Sequence, residues 1–560
     1  MEQKRLILYI ALLFVLYSLW QAWQQDYGPA PVTTQAKAAA EKISDAPPIS
    51  AQQQAQAVGA VTSGASNASV IEANTSQGQT ITVKTDTVQA SIQTQGGNIV
   101  KLSLPQYPAA LETPNNPQKL LNNTAEHFYI AQSGLIGPQG PDSQEGQAIF
   151  KTDRTNYVLN PSEDTLAVKL YWENNSGLKI TKTFIFKRGQ YDIHVQYDVE
   201  NRSAAPWSGQ LYAQLKQREI PSTSGLLGLH TYTGGSISTP DKRYEKVTFS
   251  DMSKKNLDFS AQGGWLAMQQ RYFLSSWIPD AAQTNHYYSR AQGDVYTLGY
   301  VGPVVTVPAG QRTSLHNVLY AGPETGSMLS EVAPNLDLTI DYGWLWPISA
   351  AIFWTMKHIQ SVVNNWGWSI ILVTLLIKLL FYKLSEKSYV SMAKMRKLTP
   401  KMQAIKERYG DDRQKMSQAT MELYRKEKIN PLSGCLPMLV QIPFFIALYY
   451  VLIESVELRQ SPFIFWIQDL AAKDPYYILP LLMGVSMFVQ QKLSPAPPDP
   501  MQAKIMMMLP IMFTVFFLFF PAGLVLYWLV NNCLGILQQW YIMRRIAKKE
   551  GTKVIRISNT

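Results

Sequence analysis

Cysteine is the scarcest residue of this chain, with only Cys435 and Cys533 among 560 residues. Both lie inside uncharged apolar runs, and neither belongs to a CxxC pair. The long polar part of the chain therefore has neither a disulfide framework nor a cysteine metal site. That part must be stabilised by its own apolar core.

The sequence also lacks the motifs of common nucleotide and metal sites. No GxxxxGK[ST] string, no HExxH string and no paired-carboxylate motif is present. The histidines of the polar part stand on separate segments, which favours ordinary surface or strand positions over catalytic or metal-binding roles. These histidines are His127, His194, His230, His286 and His316.

Hydrophobic residues are concentrated at one end of the chain. The mean hydropathy is only -0.10, yet uncharged apolar runs recur between 366 and 543. Residues 341 to 560 carry 25 Lys and Arg against 13 Asp and Glu, whereas residues 26 to 340 carry 23 against 26. Basic loops beside apolar spans indicate membrane topology and anionic lipids more simply than they indicate nucleic-acid binding.

The N-terminus begins with an apolar run of 18 residues, from Leu6 to Trp23, after Lys4 and Arg5. We interpret residues 1–27 as an uncleaved transmembrane anchor, and a secretory signal peptide is the alternative. Residues 28–79 are rich in Ala, Gln, Ser and Thr, a composition that predicts a disordered tether outside the cytoplasm.

Residues 80–325 predict a large all-β sandwich on the extracytoplasmic side. The alternation is plainest from Tyr191 to Val199, after the turn at Gly189, and Thr183 to Phe186 supplies the preceding strand of a hairpin. Many short strands separated by Gly, Pro and Asn are typical of a sandwich of two sheets.

Residues 326–365 predict a connector followed by an aromatic, amphipathic helix. Trp344, Trp346 and Ile352 are apolar, while Lys357 and Gln360 are polar. Such a helix suits the membrane surface, and a linker helix packed on the β-domain is the alternative.

Five further membrane spans follow, which gives six transmembrane helices in total. The last apolar run is too long for one helix, and Pro521 with Gly523 divides it into a hairpin. The predicted spans cover residues 366–384, 432–453, 476–492, 505–520 and 521–543.

The distribution of charged residues among the loops predicts that both termini lie in the cytoplasm. The loop 385–431 and the tail 544–560 are basic, whereas the loop 454–475 is acidic and is expected outside. The short loop 493–504 is then cytoplasmic. Loop 385–431 predicts a helical hairpin with methionine-rich stripes, which either pack on each other or bind apolar partners.

Lys378 is an ionisable residue within an apolar span. Thr374 lies one turn earlier, Gln441 interrupts the next span, and Tyr527 and Asn531 share a face of the last. These groups, with the neighbouring Asn532, predict a wet recess. The alternative is that Lys378 snorkels to the cytoplasmic surface while the amides link helices by hydrogen bonds.

Several strings in residues 340 to 545 resemble the YidC family in its Gram-negative form. They are SMAKMRKLTPKMQAIKERYGDD, KEKINPLSGCLPMLVQIPFFIALYYVL, ESVELRQSPF, DPYYILPLLMG and FFPAGLVLYWLVNN. The resemblance implies a multi-domain membrane protein of the bacterial cell inner membrane. It joins an all-β periplasmic sandwich to an α-helical transmembrane bundle, five of whose six helices form the family's core.

The resemblance also implies a function and a set of site residues. The family inserts and folds membrane proteins without ATP or another cofactor, through a positively charged groove, alone or beside the Sec translocon with its SecD and SecF subunits. Expected partners are nascent membrane proteins, the ribosome and anionic lipids, with no direct reading of nucleic acid. In the family the charged groove residue is usually an arginine, and the matching position here is Lys378. Lys383 stands where the first bundle helix of the family commonly has a proline. The implied groove contacts are Thr374, Tyr527 and Trp528, and the implied ribosome-facing residues are Tyr382, Tyr389 and Asp499.

Two other functions are weighed against insertion. A membrane-anchored sugar-active protein fits the β-sandwich, but no paired-carboxylate motif is present. A small-solute transporter could use Lys378 as a counter-ion, but no inverted repeat is evident. The expectation is a protein that is not an enzyme and binds no metal.

Overall fold

The computed structural model describes residues 78–143, 146–219, 232–410, 412–427, 436–493 and 500–549. These residues form two compact units, which divide between Ile340 and Asp341. The first unit is rich in strands and the second is helical. The predicted anchor 1–27, nearly all of the tether 28–79, His230, Asp499 and the end of the basic tail lie outside the described residues.

Two large β-sheets make up the first unit, together with two short helices. In the described residues the sheets hold 13 and 9 strands, most of them antiparallel. The strands are β1 Thr80–Lys84, β2 Gln89–Gln93, β3 Asn98–Pro108, β4 Pro117–Asn123, β5 Phe128–Ile136, β6 Asp142–Ser143, β7 Gly146–Gln147, β8 Lys151–Thr152, β9 Asn156–Val158, β10 Thr165–Glu173, β11 Leu178–Lys187, β12 Asp192–Asn201, β13 Trp207–Arg218, β14 Thr233–Ser238, β15 Glu245–Val247, β16 Asp258–Gln262, β17 Trp265–Gln270, β18 Phe273–Ile278, β19 Thr284–Gln292, β20 Val295–Val301, β21 Val305–Val307 and β22 Arg312–Pro323.

The predicted hairpin is confirmed as β11 and β12. Phe184 pairs with Val195, and alternate residues of β12 are buried along its whole length. The turn passes through Gly189, whose φ of 72° suits glycine. The alternation of apolar and polar residues in the sequence therefore indicates a strand with one face on the core and the other face toward water.

Both sheets contribute to an aromatic core. Tyr197 and Trp277 belong to the smaller sheet, while Tyr212 and Tyr300 belong to the larger one, and all four are almost fully buried. The Trp277 indole donates to the Gln214 carbonyl at 3.1 Å and so links the two sheets. This region is a large all-β sandwich, as predicted.

The helical unit follows from Asp341. Short 3-10 turns occupy Gly343–Leu345 and Val456–Leu458 in this unit and Leu336–Thr339 at the end of the first unit. The helices of the described residues are α1 Phe249–Lys254, α2 Gly326–Val332, α3 Trp346–Val363, α4 Trp366–Leu380, α5 Tyr382–Lys397, α6 Thr399–Tyr409, α7 Arg413–Lys426, α8 Leu436–Glu454, α9 Ile478–Leu493, α10 Pro500–Phe517 and α11 Ala522–Lys549.

The predicted amphipathic helix is present as α3. It buries Ile352 and Met356, while Trp346 and Trp354 remain largely exposed. The Ser349 hydroxyl donates to the Ala447 carbonyl of α8 at 3.2 Å. One face of α3 therefore packs on the helical unit, and its position at a membrane surface stays a prediction.

A bend of 66° separates α4 from α5. Asn365 caps the start of α4 by accepting from the Trp368 amide, and the helix ends at Leu380 instead of running on to residue 384. At the bend the Phe381 ring meets Phe444 of α8 edge to face, with centroids 5.2 Å apart. Packing against α8, and not a local Pro or Gly, accompanies the change of direction.

The lengths and hydropathies of the helices can be compared with what a membrane span requires. Within the described ranges no single helix is both long and apolar enough to cross a membrane alone, whereas α4 and α5 satisfy that criterion together. Shorter apolar helices cover Leu439–Glu454, Ile478–Leu493 and Lys504–Phe517.

The chain turns between α10 and α11 at the predicted Pro-Gly break. The Ala522 amide donates to the Ala472 carbonyl at 2.7 Å, and the Gly523 amide donates to the Leu470 carbonyl at 2.9 Å. Pro521 also forms a bridge with Lys473. The turn is thus held by the loop that precedes α9.

Candidate functional site

A cavity of about 250 Å³ opens among the helices of the second unit. Residues from α4, α5, α8, α9, α10 and α11 contribute to it, and most of its surface is apolar with polar groups interspersed. The lining residues are Lys378, Ser385, Ser388, Tyr389, Met392, Gln441, Ile442, Phe445, Met487, Gln490, Gln491, Met506, Leu509, Pro510, Tyr527, Trp528, Asn531, Asn532 and Gln539.

Lys378 supplies the positive charge of this cavity. It lies in the last turn of α4 and is half-buried. Among the described residues no carboxylate oxygen comes within 4.0 Å of its amine. A charge in such a setting attracts an anion more strongly than a lysine that already has a carboxylate partner.

Side-chain amides of the cavity also join neighbouring helices. The Asn531 amide donates to Gln441 Oε1 of α8 at 3.4 Å, and the Asn532 amide donates to Ser486 Oγ of α9 at 3.0 Å. Gln539 donates to the Leu493 carbonyl at 3.0 Å. Asn531, Asn532 and Gln539 therefore do two things at once: they line the cavity, and they link helices by hydrogen bonds.

An aromatic cluster lies beside the cavity, and two of its rings, Phe445 and Trp528, line it. The Trp528 ring lies 4.8 Å from Phe445 and 5.5 Å from Phe517, measured between centroids. Phe513 stacks on it at 6.4 Å. The indole N–H of Trp528 is buried without a hydrogen-bond partner in the part of the chain that the structure describes. Within the described residues, apolar packing and not a hydrogen bond holds the Trp528 side chain in place.

The structure brings six of the seven predicted groove residues to this cavity. Thr374, the seventh, is buried, and its hydroxyl donates to the Ile370 carbonyl of its own helix at 2.6 Å. The six that line the cavity are Lys378, Gln441, Tyr527, Trp528, Asn531 and Asn532.

The implied ribosome-facing residues lie in different places. Tyr382 is half-buried at the start of α5, and Asp499 lies outside the described residues. Tyr389 lines the cavity, and its hydroxyl donates to the Gly535 carbonyl at 3.3 Å.

Several cavity residues were not predicted from the sequence. Ser385 and Ser388 of α5 and Gln490 of α9 line the cavity. Two signals in the sequence could have indicated them. The serines are small polar residues three positions apart beside an apolar run, and Gln490 belongs to a pair of glutamines at the end of another apolar run. No group of three metal-ligating side chains occurs within the described ranges.

Two protein-family models together match most of the chain. Residues 80–355 match the model described as the YidC periplasmic domain, and residues 358–549 match the model described as the 60Kd inner membrane protein. A protein of Stutzerimonas stutzeri called membrane protein insertase YidC is 50% identical over 98% of this chain and 99% of its own. This chain belongs to the YidC family. A YidC relative from Coxiella burnetii is 48% identical over 97% of this chain and 96% of its own. These relatives lend no support to the transporter and sugar-active alternatives.

Solved structures give weaker matches. A crystal structure of an active YidC insertase, with its first transmembrane domain, is 18% identical and has a TM-score of 0.38 over 83% of this chain and 92% of its own. A galactose mutarotase related enzyme of Lactobacillus acidophilus is 9% identical with a TM-score of 0.30, over 43% and 97% of the two chains.

Proposed function

We propose that this chain inserts and folds integral membrane proteins, alone or with the Sec translocon, and that the cavity around Lys378 receives part of the client. The observation that carries the proposal is the amine of Lys378, which has no carboxylate partner among the described residues and faces a cavity lined by amides and aromatic rings. A polar or acidic flank of a nascent segment is the chemistry that this surface fits.

The mechanism needs no cofactor. The flank enters the polar cavity and is attracted to Lys378, while the apolar segment leaves between helix faces into lipid. Burial of apolar surface supplies the free energy. Exposed apolar side chains such as Leu481, Val485 and Ile511 give α9 and α10 the surface that lipid or a client would meet.

We further propose six membrane spans with both termini in the cytoplasm and the β-sandwich in the periplasm. The apolar parts of α9 and α10 are about 24 Å long at 1.5 Å per residue, shorter than a hydrocarbon core of about 30 Å. Helices of this length favour a locally thinner bilayer, which lowers the barrier for a client.

The hairpin of α6 and α7 is proposed as a cytoplasmic contact site for clients. Tyr424 donates to the Met402 sulfur at 3.6 Å, while Met421 is exposed. Flexible methionine surfaces adapt to varied apolar partners. The ribosome is the proposed partner of Tyr382, Tyr389 and Asp499, the basic tail is proposed to bind anionic lipids, and SecD and SecF are proposed partners within the Sec assembly.

Reconstituted proteoliposomes test the proposal with a single-span client that carries an acidic flank. We expect the wild type and Lys378→Arg to insert the client, and Lys378→Ala to be slower by about threefold to fivefold, the equivalent of one weakly screened ion pair. Lys383→Ala is the matched control, since this exposed lysine lies in the first turn of α5 and does not line the cavity. Equal rates for all variants would remove Lys378 from the mechanism, and absence of insertion by the wild type would contradict the proposed function.

A further inference from the structure

Gly535 is a buried glycine in the interior of α11. Glycine is a poor helix former, and a positive φ, which would require it, is not present at this position. Neither helix propensity nor backbone conformation explains its presence. The reason must lie in what surrounds it.

Three polar groups from three other helices converge on Gly535. A Cβ built on this residue would lie 3.3 Å from Gln490 Nε2, 3.6 Å from Lys378 Nζ and 3.8 Å from Tyr389 Oη. Tyr389 also donates to the Gly535 carbonyl at 3.3 Å. Alanine would need a shift of a few tenths of an ångström, and a branched side chain would occupy the space that these groups use.

Gly535 also lies within the polar face of α11. Asn531 and Gln539 are one turn before and after it, and both line the cavity. The missing side chain therefore falls where the cavity meets the amine of Lys378. A larger residue at this position would therefore displace the charged amine of Lys378 as well as change the packing of the helices.

We propose that Gly535 is a positioning residue, whose lack of a side chain lets the Lys378 amine lie against α11 and so fixes where the positive charge stands in the cavity. This inference rests on the proposed insertase function. It adds that the place of the charge, set jointly by Gly535, Tyr389 and Gln490, determines how well an acidic client flank is received.

The position of the amine can be measured without insertion. Trace acetylation of the whole protein in detergent, followed by mass spectrometry, gives the reactivity of Lys378 relative to the exposed Lys383. We expect Gly535→Val to push the amine into the open cavity and to raise this ratio at least about threefold, with a smaller rise for Gly535→Ala. Cys533→Val adds bulk at an exposed site of the same helix and should leave the ratio unchanged. An unchanged ratio in the folded Gly535 variants overturns the inference, whatever the insertion assay gives.

A pair of clients tests the consequence for insertion. Two single-span clients that differ only by Asp or Asn in the flank are inserted by wild type, Gly535→Val, Lys378→Gln and the double variant. We expect the Asp-to-Asn rate ratio to fall from about threefold to about one in each single variant, with no further fall in the double. Equal slowing of both clients by Gly535→Val, with the ratio kept, would make Gly535 a packing residue and overturn the inference. Failure of the wild type to insert either client would instead contradict the proposed function.

Discussion

The amine of Lys182 donates a hydrogen bond to the main-chain carbonyl of Ser133, 2.7 Å away, and joins the two sheets of the β-sandwich. It also donates to the Gly97 carbonyl at 2.7 Å and the Gly96 carbonyl at 3.2 Å. The Lys182 side chain is fully buried beside the ring of Tyr197. Three carbonyls in the core therefore share one lysine amine as a donor.

Replacement of Lys182 by methionine should destabilise the β-sandwich. Methionine keeps the length of the side chain but leaves three buried acceptors without their donor, and we expect a loss of about 3 kcal/mol. Hydrogen exchange of the full chain, followed in peptides that cover β11 and β12, measures the change. Lys169→Met, on the exposed side of β10, is the control and should change little. Equal protection in both variants would show that Lys182 links the sheets without stabilising them.

The stability of the β-sandwich should rise with pH through the same lysine. Burial disfavours the charged amine and lowers the pKa of Lys182 from 10.5 to about 7, against an opposing attraction from Asp142. Between these two values the unfolded chain binds more protons than the folded one, so the free energy of unfolding increases with pH, by up to about 1.4 kcal/mol per pH unit. Below pH 7 this contribution levels off.

Urea unfolding of the full chain at pH 6 to 9, followed by near-ultraviolet circular dichroism, measures that pH dependence. The difference between wild type and Lys182→Met isolates the contribution of this one group from other titrating residues. A difference that does not change with pH would contradict the lowered pKa.

The β-sandwich could be predicted because its pattern is local. In β12 each buried side chain alternates with a more exposed one, as in Val195 and Gln196, so the sequence alone indicates strands with one face on a core. The order of strands could not be predicted in this way. β12 lies between β11 and β22, and residues Leu319 and Ile193 pair across more than a hundred residues of chain.

Some residues of the candidate site could likewise be predicted from the sequence, and others could not. Lys378 and Asn531 were found from the sequence because polar groups in apolar runs are conspicuous. Ser388 and Gln490 were not, because their place depends on the bend between α4 and α5 and on the packing of α9. No Pro or Gly marks that bend, and the Phe381 contact with Phe444 that accompanies it is a tertiary one.

Helices α9 and α10 should be sensitive to one added methyl group at Gly484. A Cβ on this glycine would overlap Thr514 Oγ1 and would lie 3.2 Å from Thr514 Cβ. Overpacking of this kind costs about 1–3 kcal/mol, of which better helix propensity offsets about 1 kcal/mol. We expect Gly484→Ala to lower the temperature at which half of the protein aggregates in detergent.

The partner of that clash provides the control for Gly484→Ala. Thr514→Ala removes both the hydroxyl and the γ-methyl group and should restore much of the lost stability when combined with Gly484→Ala, since the two sites are in direct contact. Thr514→Ala alone loses the contacts of its γ-methyl group and the bond from its hydroxyl to the Pro510 carbonyl. Strictly additive losses in the double variant would show that the two helices do not meet at this point.

Trp528 should tolerate phenylalanine but not alanine. Its indole N–H has no partner within the described residues, so Trp528→Phe loses no hydrogen bond and keeps the edge-to-face contact with Phe445. We expect a cost of about 1 kcal/mol for phenylalanine and about 3–5 kcal/mol for alanine, which would empty the centre of the aromatic cluster. Thermal unfolding in detergent measures both. If phenylalanine costs as much as alanine, the indole nitrogen has a bonding partner, such as a water molecule in the cavity; if neither variant loses stability, the cluster around Trp528 is not a packed part of the core.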